Sequence, residues 1–151
     1  MAAGAAIAHS NIAMKALMKP QALDVDKVWQ TRFTRDGQRV FASSLRPQGF
    51  VENYLRSTNI AAIIEVETGR RVVSLSGGTN LVRADLSPDE RWLVTADTDH
   101  VIRVHDARDG RPVADLKGHT DRIGVFSFST NGNVLASSSV DRAVRLWRLP
   151  S

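Results

Sequence analysis

The fold of this chain is decided near its end by residues 118–147, which read GHTDRIGVFSFSTNGNVLASSSVDRAVRLW. The stretch begins with a Gly-His pair and ends in a tryptophan. Between them lie two runs of alternating apolar and hydroxyl side chains, separated by the turn-forming residues Asn131 and Gly132. Alternation of this kind predicts short β-strands joined by tight turns. A third run follows Asp141 and predicts one more strand.

The same pattern occurs earlier in the chain at a fixed spacing. Ser87 and Ser129 are 42 residues apart, and so are Asp99 and Asp141. A first unit precedes these two. Its beginning matches the last unit at a spacing of 95, whereas its later part matches the second unit at a spacing of 41. This mismatch predicts an insertion of about twelve residues, Leu45–Arg56, between the second and third strands of the first unit.

Residues 118–147 resemble one repeat of the WD40 β-propeller family. The Gly-His opening, the Leu-Ala-Ser strand, the turn residue Asp141 and the closing Trp147 stand in the family's order, although Arg148 replaces the last residue of the Trp-Asp signature. The first two units carry fewer of these residues. The resemblance implies an all-β fold, a partial WD40-type β-propeller of about three four-stranded blades, with the last blade lacking its outer strand.

The resemblance also sets the expected organisation of the chain. We predict a helical or disordered N-terminal extension over residues 1–21 and a partial propeller over residues 22–151. The three blades are expected at about 22–76, 77–117 and 118–151.

Four side chains of the last repeat allow two interpretations: His119, Ser137, Asp141 and Trp147. Ser, His and Asp can form a nucleophilic triad. The family resemblance implies instead a structural tetrad, in which a buried Asp accepts hydrogen bonds from the imidazole and loop amides, and the hydroxyl and indole complete the network. We therefore predict a protein that is not an enzyme and uses no cofactor. His100 and His105 lack a clear third ligand, so no metal site is predicted.

The inserted stretch Leu45–Arg56 holds the predicted partner-binding residues, which are Arg46, Phe50, Tyr54 and Arg56. Aromatic and arginine side chains are enriched at interface centres. Insertions in repeat folds often lie on the binding face. The alternative is a long hairpin in which Phe50 packs on its own blade.

Charge and composition narrow the class of protein. The chain has 151 residues, a net charge of +4 and no cysteine, which fits a reducing compartment such as the cytoplasm. Charges of both signs are spread along the sequence, as on a solvated surface and unlike a clustered nucleic-acid site. No stretch approaches the roughly 18 apolar residues of a membrane span. The Ala-rich start, residues 1–19, also allows an organelle-targeting peptide, although it contains no Arg.

Three blades are too few for a closed ring, because propellers usually have four to eight. The ring could be completed by a second copy, by another chain or within a longer parent protein, and the N-terminal segment could supply the last outer strand. We predict a scaffold that mediates protein–protein interaction within a multi-subunit assembly. The alternative is a basic RNA- or DNA-associated subunit of a ribonucleoprotein or chromatin complex, whose binding would depend on salt.

Overall fold

The described part of the chain is built of β-strands. A computed structural model describes residues 30–44, 60–76 and 81–150, and eleven strands lie in these ranges. In chain order they are β1 (Gln30–Phe33), β2 (Arg39–Ser44), β3 (Ile60–Glu65), β4 (Arg71–Ser76), β5 (Leu81–Leu86), β6 (Trp92–Asp97), β7 (Ile102–Asp106), β8 (Pro112–Leu116), β9 (Ile123–Phe128), β10 (Val134–Ser139) and β11 (Val144–Arg148).

The strands form three antiparallel sheets, each made of consecutive strands. Sheet 1 contains β1 to β4, sheet 2 contains β5 to β8, and sheet 3 contains β9 to β11. The predicted all-β fold of about three blades is confirmed, and sheet 3 shows three strands within the described residues. The predicted extension over residues 1–21 and the inserted stretch Leu45–Arg56 lie outside those residues.

Strand β7 begins at Ile102, directly after Val101. The N–H of Val101 donates to the Asp99 side chain at 3.1 Å, which holds Val101 in the preceding turn. A short polar side chain at a turn competes with the sheet ladder for backbone donors in this way.

The burial of the central strands shows how the sheets are stacked. In β6 every residue from Trp92 to Ala96 is buried, so both faces of sheet 2 are covered. In β10 buried and half-buried residues alternate, so sheet 3 is covered on one face only. Sheet 2 therefore lies between sheets 1 and 3.

Two apolar clusters hold the stack together. Between sheets 1 and 2, Phe41 and Ile63 pack with Leu86 and Leu93. Between sheets 2 and 3, the buried residues include Val94, Ile102 and Val104 from one side and Ile123, Phe126 and Leu135 from the other. Each fully buried side chain of this size contributes about 1.5–3 kcal/mol to stability.

The first hairpin turn of each sheet has the same hydrogen-bond pattern. In sheet 2, Ser87 Oγ donates to Asp89 at 2.5 Å and accepts the N–H of Trp92 at 2.9 Å. Thr34 and Ser129 make the corresponding bonds in the other two turns. The residue after the acidic or amide side chain has positive φ in all three turns, at Gly37, Glu90 and Gly132. The repeat seen in the sequence is thus also present in the backbone.

Candidate functional site: a buried hydrogen-bonded chain in sheet 3

The four predicted tetrad residues come from four different segments of sheet 3. His119 lies in the connection between β8 and β9, and Ser137 lies in the central strand β10. Asp141 lies in the turn after β10, and Trp147 in β11. The antiparallel register places Leu135, two residues before Ser137, opposite Trp147. The sheet geometry therefore directs these side chains to one face.

The four side chains form one continuous hydrogen-bonded chain. His119 Nδ1 lies 2.7 Å from Asp141 Oδ2, and His119 Nε2 lies 2.8 Å from Ser137 Oγ. The indole N–H of Trp147 donates to Ser137 Oγ at 2.8 Å. An indole can only donate and a carboxylate can only accept. In a neutral imidazole, Nδ1–H therefore donates to Asp141, and Nε2 accepts the hydroxyl hydrogen of Ser137.

Asp141 also accepts two backbone N–H groups. Thr120 donates to Oδ2 at 3.1 Å, and Ala143 donates to Oδ1 at 2.9 Å. Burial alone would raise the pKa of Asp141, whose side chain is 5% exposed, but hydrogen bonds from His119, Thr120 and Ala143 together hold that pKa well below its ordinary value. The carboxylate therefore ties the β8–β9 connection to the β10–β11 turn as a charged acceptor.

The Asp-His-Ser order matches that of a nucleophilic triad, but its environment differs from that of an active site. Ser137 is 1% exposed, and its oxygen already accepts the Trp147 indole N–H. The His119 side chain is also 1% exposed and packs edge-on against Trp147, with ring centroids 6.1 Å apart. A nucleophile must reach its substrate at hydrogen-bonding distance. This arrangement leaves the Ser137 hydroxyl no room to do so.

Sheet 2 carries an altered version of the same site. Thr95 and His105 occupy the places of Ser137 and Trp147, and Thr95 Oγ1 lies 3.3 Å from His105 Nε2. Asp99 occupies the place of Asp141 and pairs with Arg103. Only sheet 3 holds a complete tetrad within the described residues.

Arg103 joins two carboxylates beside this site. It pairs with both Asp97, at 2.9 Å, and Asp99. Burial raises the pKa of Asp97, while the hydrogen bond from Arg103 lowers the pKa of Asp99. The two aspartates that bracket the β6–β7 turn are the sequence signal for this pairing.

The predicted partner-binding residues Arg46, Phe50, Tyr54 and Arg56 lie outside the described residues. Among residues 30–44, 60–76 and 81–150, no cluster of three or more His, Asp or Glu side chains could hold a metal ion. The same ranges contain no helix long and apolar enough to cross a membrane.

Known proteins share parts of this architecture. An uncharacterised WD repeat-containing protein of Synechocystis sp. is 34% identical over 114 residues, covering 74% of this chain and 32% of that protein. WD repeat and SOCS box-containing protein 1 of Takifugu rubripes is 38% identical over 90 residues, covering 58% of this chain and 21% of that protein. The crystal structure of the RRP9 WD40 repeats aligns with a TM-score of 0.62 at 20% identity, over 82% of this chain and 36% of that chain.

These matches show a shared fold, and this chain spans 21% to 36% of the length of the three proteins. The model of the WD40 family, "WD domain, G-beta repeat", matches residues 69–106 and 110–148, which together make half of the chain. Each matched segment runs from the last strand of one sheet through the first three strands of the next. The chain belongs to the WD40 repeat family.

Proposed function

We propose that the chain is a non-catalytic WD40 scaffold that mediates protein–protein interaction within a multi-subunit assembly, with the cytoplasm as its expected compartment. The observation that carries this proposal is that the tetrad side chains are hydrogen-bonded to one another. The His, Ser and Asp side chains of the last repeat that match a nucleophilic triad bind one another and are buried. Such networks commonly specify a fold.

In this proposal the tetrad has a structural role. It joins the β8–β9 connection, through His119, to the β10–β11 turn, through Asp141. Both segments lie at the same end of sheet 3. The tetrad would therefore fix the shape of that end and leave its exposed residues free for a partner.

Ser44, where β2 ends, and Ile60, where β3 begins, lie at the same end of the stack. The β1–β2, β5–β6 and β9–β10 turns share the opposite end: the N–H of Arg35 donates to Glu90 at 2.5 Å, and Asp89 lies against Gly132. Ser44 and Ile60 pair with each other across β2 and β3. We propose that Arg46, Phe50, Tyr54 and Arg56 bind a protein partner there.

Nucleic-acid binding is the second candidate, favoured by the net charge of +4. Within the described ranges, however, four arginines pair with carboxylates: Arg70, Arg103, Arg108 and Arg111. Paired arginines contribute less to phosphate binding than a one-sided basic face. This pairing supports the protein-binding proposal.

A comparison of one double variant with one single variant tests the proposal. We expect Phe50→Ala/Tyr54→Ala to lose the proteins that co-purify with the tagged full chain. Phe33→Ala is the matched control, because Phe33 is 58% exposed and lies at the other end of sheet 1. The readout is quantitative mass spectrometry of the retained proteins, with circular dichroism to confirm equal folding.

Two results would contradict the proposal. If both variants retain the same proteins, the inserted stretch is not the binding surface. If nuclease treatment releases the retained proteins from the wild-type chain, the nucleic-acid alternative holds, and it should be accompanied by a steep loss of binding with salt.

A further inference from the structure

Sheets 2 and 3 carry an arginine at the same place of the repeat, but its surroundings differ. Arg103 in β7 and Arg145 in β11 are 42 residues apart, which is the spacing of the repeat. Arg103 lies between the carboxylates of Asp97, at 2.9 Å, and Asp99. Arg145 is exposed and forms no ion pair with any residue of the described ranges. One sheet therefore neutralises this cation and the other leaves it accessible.

Two differences between the sheets explain why Arg145 has no carboxylate. Ser139 replaces the first of them, since it lies 42 residues after Asp97. The second, Asp141, is present, but its oxygens accept two backbone N–H groups and bind the imidazole of His119. The complete tetrad thus withdraws this carboxylate from Arg145. An exposed positive charge at the end of sheet 3 is the consequence.

Two further cations lie beside Arg145. Lys117 adjoins Gly118, where an added Cβ atom would lie 3.4 Å from Nη1 of Arg145, so the guanidinium lies against that segment. Arg142 lies in the β10–β11 turn, which the tetrad ties to the same segment. Both side chains are exposed and form no ion pair with a described residue. We call Lys117, Arg142 and Arg145 the cationic end of sheet 3.

The surroundings of the cationic end favour a protein ligand over a nucleic acid. Val140, in the same turn as Arg142, is 54% exposed and offers an apolar contact that a phosphate backbone cannot use. The backbone oxygen of Asp121 accepts from Ser139 Oγ, which places the exposed Asp121 and its neighbour Arg122 beside this turn. Their opposite charges leave the excess of the cationic end unchanged. A strand with a phosphate at every nucleotide would nevertheless meet the Asp121 carboxylate.

We propose that the cationic end binds an acidic segment of a partner protein, in which Asp or Glu residues flank an aliphatic side chain. The carboxylates of the segment pair with Lys117, Arg142 and Arg145, and the aliphatic side chain contacts Val140. Complementary charges across an interface steer association and select the partner. This inference rests on the proposed scaffold function and names the chemistry of a partner at the end of sheet 3 that the tetrad fixes.

Fluorescence anisotropy of the full chain with a labelled peptide tests the inference. The probe is Glu-Glu-Leu-Glu-Glu, measured at low ionic strength, where charge pairs are least screened. The variant Arg142→Gln/Arg145→Gln is compared with Arg108→Gln/Arg111→Gln, which removes the same number of positive charges. Arg108 and Arg111 are the matched control, because their side chains are 83% and 84% exposed and already pair with carboxylates.

We expect Arg142→Gln/Arg145→Gln to raise the Kd of the peptide roughly tenfold or more, because two charge pairs are lost. The control variant should change this Kd by less than about threefold, since it alters only the overall charge. Replacing the leucine of the peptide by serine should weaken binding roughly twofold or more, because the contact with Val140 is lost. Lys117→Gln/Arg142→Gln keeps Arg145 and serves as a second variant if circular dichroism shows that the first does not fold.

Three results would overturn the inference. The first is a peptide that does not bind the wild-type chain. The second is equal weakening by both double variants, which would mean that only the overall charge matters. The third is tighter binding of a labelled oligothymidylate of the same charge, lost with the same substitutions, which would assign the cationic end to a nucleic acid. None of these measurements involves Phe50 or Tyr54, so the scaffold proposal and this inference can fail separately.

Discussion

At the scale of single residues, Ser137 is the centre of the tetrad. Its hydroxyl oxygen accepts the indole N–H of Trp147 and lies 2.8 Å from His119 Nε2. We predict that Ser137→Ala lowers the free energy of unfolding by about 1–3 kcal/mol, because it leaves buried polar groups without partners. The measurement is urea denaturation followed by tryptophan fluorescence.

Ser127→Ala is the control for this substitution, because Ser127 is exposed on the neighbouring strand β9. It should change stability by no more than about 0.5 kcal/mol. Equal effects of the two substitutions would mean that the tetrad does not stabilise sheet 3.

Asp141 gives a prediction for pH. Its pKa is lower in the folded chain than in the unfolded chain, where it is about 3.9. The carboxylate therefore adds stability above that pH, and this contribution is lost as the pH falls below about 4 toward the folded pKa. We predict that Asp141→Asn is less stable than the wild type at pH 7 and loses less stability on acidification.

Urea midpoints from pH 7 to pH 3 check this prediction. Asp109→Asn is the matched control, since Asp109 lies in an exposed turn. Asp106, whose pKa is lowered to about 2 chiefly by Arg108, is present in all three proteins and does not affect the comparison. Parallel curves for Asp141→Asn and the wild type would contradict the assigned role.

At the scale of the turns, two constraints favour glycine at position 132. Its φ is +76°, and a Cβ atom there would lie 2.5 Å from Cγ of Asp89 in the neighbouring sheet. We predict that Gly132→Ala lowers the free energy of unfolding by about 1–2 kcal/mol for the left-handed backbone, and by a further amount for the contact. Thermal and urea unfolding measure the loss.

Gly37→Ala separates the two causes. Gly37 holds the same place in the turn of sheet 1, with a φ of +68°, and nothing lies within 4 Å of an added Cβ. Gly37→Ala should lose only the part of the unfolding free energy that comes from the left-handed backbone. Equal losses would show that Asp89 moves aside at no cost, which is the less expected result because Ser87 also binds Asp89.

These elements also show how far the sequence can predict the structure. The alternation in residues 118–147 predicted three strands separated by turns at Asn131 and Gly132 and at Asp141, and β9, β10 and β11 lie in those places, because local side-chain pattern and turn residues determine where a strand begins and ends. The tetrad residues were predicted as a group through the family resemblance. The pairing of Arg103 with Asp97 and Asp99 was not predicted, because pattern alone does not show which carboxylates fold back toward it.

At the scale of the whole molecule, the contacts between sheets could not be predicted from the alternation of apolar and polar residues. Arg32 donates to the backbone oxygen of Leu86, and Arg35 binds Glu90, each across more than fifty residues of sequence. Such contacts depend on the rotation of one sheet against the next, which local alternation does not encode. The exposure of Val144 and Leu146 is likewise a property of the stack.

The offset between matched segments and sheets bears on how the chain is synthesised. The segment over residues 69–106 ends with β7, and β8, which completes sheet 2, belongs to the segment that follows. A chain leaving the ribosome folds from its N-terminal side onward. Sheet 2 must therefore wait, with an unpaired outer edge, until the next repeat begins to emerge. Each repeat completes the sheet that the preceding repeat began, so the sequence repeat differs from the sheet that folds.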